Sequence, residues 1–270
     1  MRPTMTAWRP FAGEWGVVLG ASSGFGAATA RALARHGMGI VGVHLDRKAT
    51  LPLAEAVASD VRAADAPAHF FNVNAADDEK RAQVADRTRE LTNGRPLRVL
   101  MHSLAFGTLK AFVTDEPAQQ TTKAQLEMTL DVMAHSLVYW VQDLHARGLV
   151  GDGTRVFAMT SSGGTRVMPF YGAVSAAKAA LESHVRQLAL ELGTKGVAVN
   201  AIRAGVTDTP AVRKIPIAEM LLAEARRRNP GGRLTEPDDV AGAIVALSLP
   251  GTRWISGNVL GVDGAEDVTA

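Results

Sequence analysis

Tyr171 and Lys178 stand with six residues between them. A phenol and an ammonium are the parts of a proton-donating site. The phenol can hydrogen-bond or protonate an oxygen that gains negative charge. A nearby ammonium favours the phenolate and so acidifies the phenol. On a helix, residues seven apart lie two turns along and differ by only about 20° in direction, so Tyr171 and Lys178 would face one way. Taken alone, a core tyrosine with a snorkelling lysine is the commoner arrangement. A second feature upstream changes the balance.

That feature is Gly20-Ala21-Ser22-Ser23-Gly24-Phe25-Gly26. It follows a short apolar run, Trp15–Leu19, and precedes an alanine-rich helical pattern. Its glycines are spaced for three tasks: a tight turn at positive φ, close approach of backbone to a pyrophosphate, and close packing of the next helix on the strand. The start of that helix offers free N–H groups and a positive dipole end to an anion. The setting predicts a dinucleotide site.

The elements needed to hold these residues are legible as alternating patterns. Strands are expected at Trp15–Leu19, Ile40–Leu45, His69–Val73, Arg98–Leu104, Arg155–Ser161, Val197–Arg203 and Asn258–Val262. Helical periodicity lies near 25–36, 51–64, 77–92, 121–147, 170–192, 217–229 and 237–248. Nearly continuous apolar strands that alternate with helices imply a parallel sheet covered on both faces, with right-handed crossovers. The expected fold is α/β: one doubly wound domain, a seven-stranded parallel sheet flanked by helices. Residues 1–14 read as an N-terminal extension and 15–270 as the domain. A segment at about 207–232 interrupts the last βαβ step and is expected to cover the substrate.

Composition excludes several classes. The 270 residues are 47% hydrophobic with a formal charge of +2 and no cysteine. There is no disulfide framework or thiolate nucleophile. The seven histidines lack paired ligand spacing, and no metal site is expected. Arg226-Arg227-Arg228 is the one tight basic cluster, read as a solvated helix end or as a contact for an acidic partner or phosphate. No basic stripe with interleaved aromatics points to nucleic acid. Residues 1–14 lack the apolar core of a secretory signal, and no apolar run reaches membrane-spanning length. A cytoplasmic protein without membrane contact is expected.

The turn Leu19-Gly20-Ala21-Ser22-Ser23-Gly24-Phe25-Gly26 resembles that of the short-chain dehydrogenase/reductase family, and the resemblance runs from about residue 14 to 265. It implies a Rossmann-type fold and places Gly20, Ser22, Ser23, Gly24, Phe25 and Gly26 on the cofactor. An acid at the end of the second strand would accept from the adenosine ribose and repel a 2′-phosphate. That position falls at Val43 or His44, with Asp46 slightly later and Arg47 and Lys48 beyond it. The two cations favour NADPH, with NADH possible. The other reading turns Asp46 inward and leaves Arg47 and Lys48 as surface charge. Asn72-Val73 is similar to the family's adenine-contacting pair.

In the commoner branch the tyrosine lies four residues before the lysine, a position held here by Val174. The six-residue gap instead resembles the enoyl-acyl-carrier-protein reductases, which deliver hydride to the β-carbon of a conjugated thioester while the tyrosine stabilises the enolate oxygen. His102-Ser103-Leu104-Ala105-Phe106 is similar to that branch's strand end, and Asp131-Val132-Met133 lacks the commoner branch's asparagine. Ala204, Gly205, Val206 and Thr209 match the loop that holds the nicotinamide amide. The resemblance makes Tyr171, Lys178 and Ser161 catalytic, with Lys178 also on the ribose and Ser103, Leu104 and Ala105 beside the cofactor.

Phe106, Met168, Phe170 and Met220 are candidate pocket walls. Met220, Leu221 and Leu222 give an apolar stripe suited to an acyl chain or alicyclic ring, or to ordinary packing. Ser161 stands where the best-known enoyl reductases carry a second tyrosine. It leaves a ketone reductase or alcohol dehydrogenase as the alternative, and a non-catalytic NADP-binding sensor as a third. The expected partners are an acyl thioester on coenzyme A or acyl carrier protein, and further copies of the chain in a homodimer or homotetramer. Small residues Gly172, Ala173, Ala176, Ala177, Ala179 and Ala180 permit close helix approach there, or pack within the chain.

Overall fold

The computed structural model describes residues 8–269. Seven parallel strands form one sheet in the order β3-β2-β1-β4-β5-β6-β7. They are β1 Trp15–Leu19, β2 Gly39–His44, β3 Ala68–Asn72, β4 Val99–His102, β5 Arg155–Thr160, β6 Ala198–Ala204 and β7 Val259–Val262. The helices are α1 Gly24–Arg35, α2 Leu51–Ala63, α3 Asp78–Thr92, α4 Lys123–Leu130, α5 Ser136–Ala146, α6 Gly172–Leu192, α7 Ala218–Arg228 and α8 Pro237–Leu247.

Side chains alternate across each strand, so β1 feeds two cores. Val17 and Leu19 join Trp140, Leu181 and Val185 on the face covered by α3, α5 and α6. Val18 joins Leu33, Val57 and Ile244 on the face covered by α1, α2 and α8. Strand order reverses between β1 and β4, which opens a crevice at the carboxyl ends of the strands.

Several boundaries depart from expectation. The helical pattern at 121–147 is interrupted by a π-helical turn, Asp131–His135. Ser136 Oγ donates back to the Val132 carbonyl at 2.8 Å, and His102 Nε2 reaches Ser136 Oγ at 2.8 Å, which pins the distorted turn to the end of β4. Strand β4 stops at His102, leaving Ser103 and Leu104 in the loop. Helix α6 starts at Gly172, because Phe170 is left-handed at φ 65° and Tyr171 sits at the N-cap. Among the described residues before β1, Phe11 is buried in the α1 core and Glu14 pairs with Arg98.

Of the six small residues, Ala173 and Ala177 are buried within the chain, while Ala176 and Ala179 are exposed. Among the described residues no helix is long and apolar enough to cross a membrane.

Candidate active site

The glycine turn lies where β1, β2 and β4 end. Gly20 N and Ala21 N donate to the Val43 carbonyl at 2.8 and 3.0 Å, and Ser103 N donates to the Leu19 carbonyl at 2.9 Å. Gly20 has φ 87°, and a Cβ there would strike the Ser103 carbonyl. A Cβ at Gly26 would strike the Gly20 carbonyl, so α1 packs on the turn by virtue of that glycine. Gly24, at φ 53°, lies against Thr209. Ser23 is extended at the N-cap of α1, and its side chain does not cap the helix. The first N–H groups of α1 therefore remain available to an anion. This cradle fits a dinucleotide pyrophosphate, with Ser22, Ser23, Gly24 and Phe25 at the helix start.

Beyond the turn, Asn72 grips the backbone of Asp46 at both ends. Asn72 Oδ1 accepts from Asp46 N, and Asn72 Nδ2 donates to the Asp46 carbonyl, each at 2.9 Å. The Asp46 carboxylate turns inward to His44 Nδ1 at 2.9 Å. Burial raises its pKa, but hydrogen bonds from Thr50, Ser22 and His44 outweigh that and hold it below the usual carboxylate range. The acid thus sits beside Ser22 of the cofactor turn. His44 itself is buried, and Arg47 and Lys48 are exposed. Val73 N donates to the His44 carbonyl at 2.8 Å.

Ser161 leaves the end of β5 and opens a short 3-10 turn, Ser162–Gly164, that runs under Tyr171 and Lys178. Ser161 Oγ accepts from Gly163 N at 3.1 Å. A Cβ at Gly163 would lie 2.5 Å from Tyr171 Cε1, and one at Gly164 would lie 3.5 Å from Lys178 Cβ. The two glycines let the serine loop press against both side chains. Burial pushes the Tyr171 phenol up, and a hydrogen bond with Ser161 opposes the rise. Lys178 is buried, donates from Nζ to the Met159 carbonyl at 2.7 Å, and is lowered to about 8 by burial, with Glu182 opposing.

The expected acidification of Tyr171 by Lys178 is therefore corrected. The phenol's pKa is raised, the hydroxyl that opposes the rise is Ser161, and the ammonium is tied to β5. Sequence reasoning also missed two ionisable neighbours. Glu182, one turn beyond Lys178, accepts from Thr160 Oγ1 at 2.6 Å. His102 is fully buried and lowered to about 3, first by burial and then by the Lys178 charge. An acid four residues after a lysine is a visible helical pair, whereas the position of His102 depends on the sheet.

The remaining residues divide. Ala204 ends β6, Gly205 and Val206 follow it near the C-terminal strand, and Val206 N donates to the buried Glu266 at 3.0 Å. Leu104 packs against the α6 core, while Ala105 is exposed. Met168 reaches Gly163 beside Tyr171. Phe106, Phe170 and Met220 are exposed at 62%, 41% and 63%. Phe112, which the sequence reading did not single out, lies against Gly172 at the start of α6. Leu222 is buried under α7, so the expected stripe is split between packing and surface. Arg227 pairs with Glu224, and Arg228 reaches Glu266 at 3.4 Å, so two of the three arginines pair within the chain.

The family model described as enoyl-(acyl carrier protein) reductase matches residues 20–265. The chain is 32% identical to cis-4-hydroxycyclohexanecarboxylate dehydrogenase of Sinomonas cyclohexanicum, over 94% of this chain and 96% of that protein. It is 31% identical to the enoyl-(acyl-carrier-protein) reductase (NADH) FabI of Nostoc sp., over 75% of this chain and 76% of that one. Alignments to several other enoyl reductases of this kind span 62% to 65% of their length. Among solved structures, a short-chain dehydrogenase of Burkholderia cenocepacia J2315 in complex with NADP superposes with a TM-score of 0.80 at 26% identity, covering 96% of this chain and 99% of that one.

Proposed function

This chain belongs to the enoyl-(acyl carrier protein) reductase-like family of short-chain dehydrogenases/reductases, and from that premise we propose that it reduces the carbon–carbon double bond of an enoyl thioester. The observation that carries the reading is the position of the phenol. It stands on Tyr171 at the start of α6, partnered by the Ser161 hydroxyl, while Val174 one turn further in is buried and has no proton to give.

Bound NAD(P)H would supply a hydride to the β-carbon of the substrate. The electron pair displaced from the double bond would move to the thioester oxygen, and the resulting enolate would return to the saturated thioester as its α-carbon takes a proton from water. Tyr171 and Ser161 donate hydrogen bonds to the thioester oxygen, and an interaction that strengthens as charge develops lowers the barrier. Lys178, anchored on Met159, supplies a fixed positive charge behind the site. The exposed side chains Phe106, Phe112 and Phe170 offer apolar surface for the acyl group.

Cofactor choice moves from the sequence-based expectation. The NADPH reading rested on Arg47 and Lys48, but the Asp46 carboxylate faces Ser22. A carboxylate there accepts from ribose hydroxyls and opposes a 2′-phosphate. We favour NADH, in keeping with the cofactor in the name of the Nostoc relative.

A second reading has its own support. Ser161 with Tyr171 also suits a carbonyl oxygen, and the relative matched over 94% of the chain is named for dehydrogenation of a hydroxycyclohexanecarboxylate. On either reading the substrate is an acyl or alicyclic acid derivative. The exposed side of α6 is offered to a second copy of the chain in a homodimer or homotetramer.

Incubation with crotonyl-CoA, acetoacetyl-CoA and 4-hydroxycyclohexanecarboxylate, each with both cofactors, separates the readings. Reduction of crotonyl-CoA with retention of the ketone is expected. Turnover confined to the ketone and alcohol would overturn double-bond reduction.

A further inference from the structure

Glu182 has no place in the sequence pattern of the site, yet it is tied into it from two sides. Its Oε1 accepts from Thr160 Oγ1 at 2.6 Å, at the last residue of β5. A Cβ at Gly164 would come within 3.1 Å of the same oxygen, so the serine loop closes over the carboxylate. Met159, the residue before Thr160, accepts from Lys178 Nζ at 2.7 Å. The strand end thus fixes the ammonium through a carbonyl and the carboxylate through a hydroxyl, one residue apart. A carboxylate held one helical turn from a buried ammonium keeps the ammonium charged.

We propose that Glu182 is a positioning residue that keeps Lys178 protonated in the buried site and thereby sets the alkaline limit of cofactor binding and turnover. The inference rests on the oxidoreductase reading of the site and adds to it the group that sustains the charge of its buried ammonium. Other ionisable groups around Lys178 do not take this role. His102, on β4, is held neutral by burial and by Lys178 itself. Tyr171, on α6, carries no charge at neutral pH because its pKa is raised. On the π turn packed against α6, His135 is engaged with His184 at 3.0 Å. Glu182 is the influence that opposes the burial-driven fall of Lys178 to about 8.

The test is the pH dependence of NADH affinity, read by nucleotide fluorescence, and of kcat/KM, between pH 6 and 9.5. Wild type should lose affinity and kcat/KM together on an alkaline limb near pH 8. In Glu182→Gln that limb should move to lower pH by about one unit, which is about a fivefold loss at pH 8, approaching about tenfold at the alkaline end, with little loss at pH 6. Thr160→Val keeps the charge but frees the carboxylate, and should move the limb in the same direction by less. It also carries the test if Glu182→Gln does not fold. A uniform loss at every pH, or limbs that coincide with wild type, would overturn the inference. NADH affinity needs no turnover, so a chain inactive on every thioester but with the shifted limb would sink the proposed reaction and leave this inference standing.

Discussion

Lys178 Nζ donates to the carbonyl of Met159, the penultimate residue of β5, at 2.7 Å, and so places a buried cation directly behind the serine that follows the strand. The arrangement is costly to the fold. A lysine whose folded pKa lies near 8, against an ordinary 10.5, is protonated in both states below pH 8 and carries its full cost there. The cost fades as pH rises through 8, because the folded molecule releases its proton first.

Lys178→Met is therefore expected to abolish activity and yet to stabilise the protein. Burial of the charge costs about 3 kcal/mol at pH 7, and loss of the hydrogen bond to Met159 returns about 1 kcal/mol. The net gain corresponds to roughly 4–8 °C in melting temperature. Calorimetry at pH 7 checks this, and an unchanged or lower melting temperature would show that the ammonium is not a burden.

Tyr171 and Ser161 share one oxygen in the proposed reaction but should not matter equally. Tyr171→Phe removes the donor and is expected to lower kcat by about 10²–10³-fold. Ser161→Ala removes the second donor and the acceptor for Gly163 N, with a loss of about tenfold. Steady-state kinetics on crotonyl-CoA, with NADH binding measured alongside, separates these from misfolding. Equal activity of Tyr171→Phe and wild type would remove the phenol from the mechanism.

Much of the fold was legible because its signals are local. The apolar runs gave seven strands, and the glycine turn gave the cofactor edge, since each glycine answers to backbone geometry within a few residues. What was not legible depends on partners distant in sequence. The π turn at Asp131–His135 owes its shape to Ser136 and to His102 on β4, 34 residues before that serine. Helix α6 starts two residues later than its periodicity predicts, because no pattern marks Phe170 for a left-handed conformation. The effect of Lys178 on Tyr171 is not legible in the sequence, because spacing gives direction along a helix but not the strand carbonyl that captures the ammonium.

His102 should govern the acid side of stability. Its folded pKa of about 3 lies below the ordinary 6.5, so it takes up a proton only on unfolding across that interval. Stability is expected to fall as pH drops from 6.5, by about 1.4 kcal/mol per unit from this group alone. In His102→Gln, which keeps a donor for Ser136 but does not titrate, that slope should shrink whatever the absolute stability. Urea unfolding between pH 4.5 and 7 measures it, and identical slopes would assign the acid loss to other groups.

Asp46 sets the last expectation. Its backbone is clamped by Asn72 and its carboxylate is turned onto His44 and Ser22, so it is fixed before any nucleotide arrives. Two ribose hydroxyls find an acceptor there, whereas a 2′-phosphate meets a like charge that cannot swing away. Arg47 and Lys48 are free in solvent and attract the phosphate only at high effective dielectric, where one ion pair is worth little. The fixed carboxylate should win, giving a kcat/KM for NADH at least about tenfold above that for NADPH, equivalent to about 1.4 kcal/mol. Asp46→Ser removes the repulsion and leaves both cations, and should shift the ratio towards NADPH by a similar factor. A wild type that prefers NADPH, with Asp46→Ser unchanged, would mean that Arg47 and Lys48 reach the phosphate and that the carboxylate is out of its range.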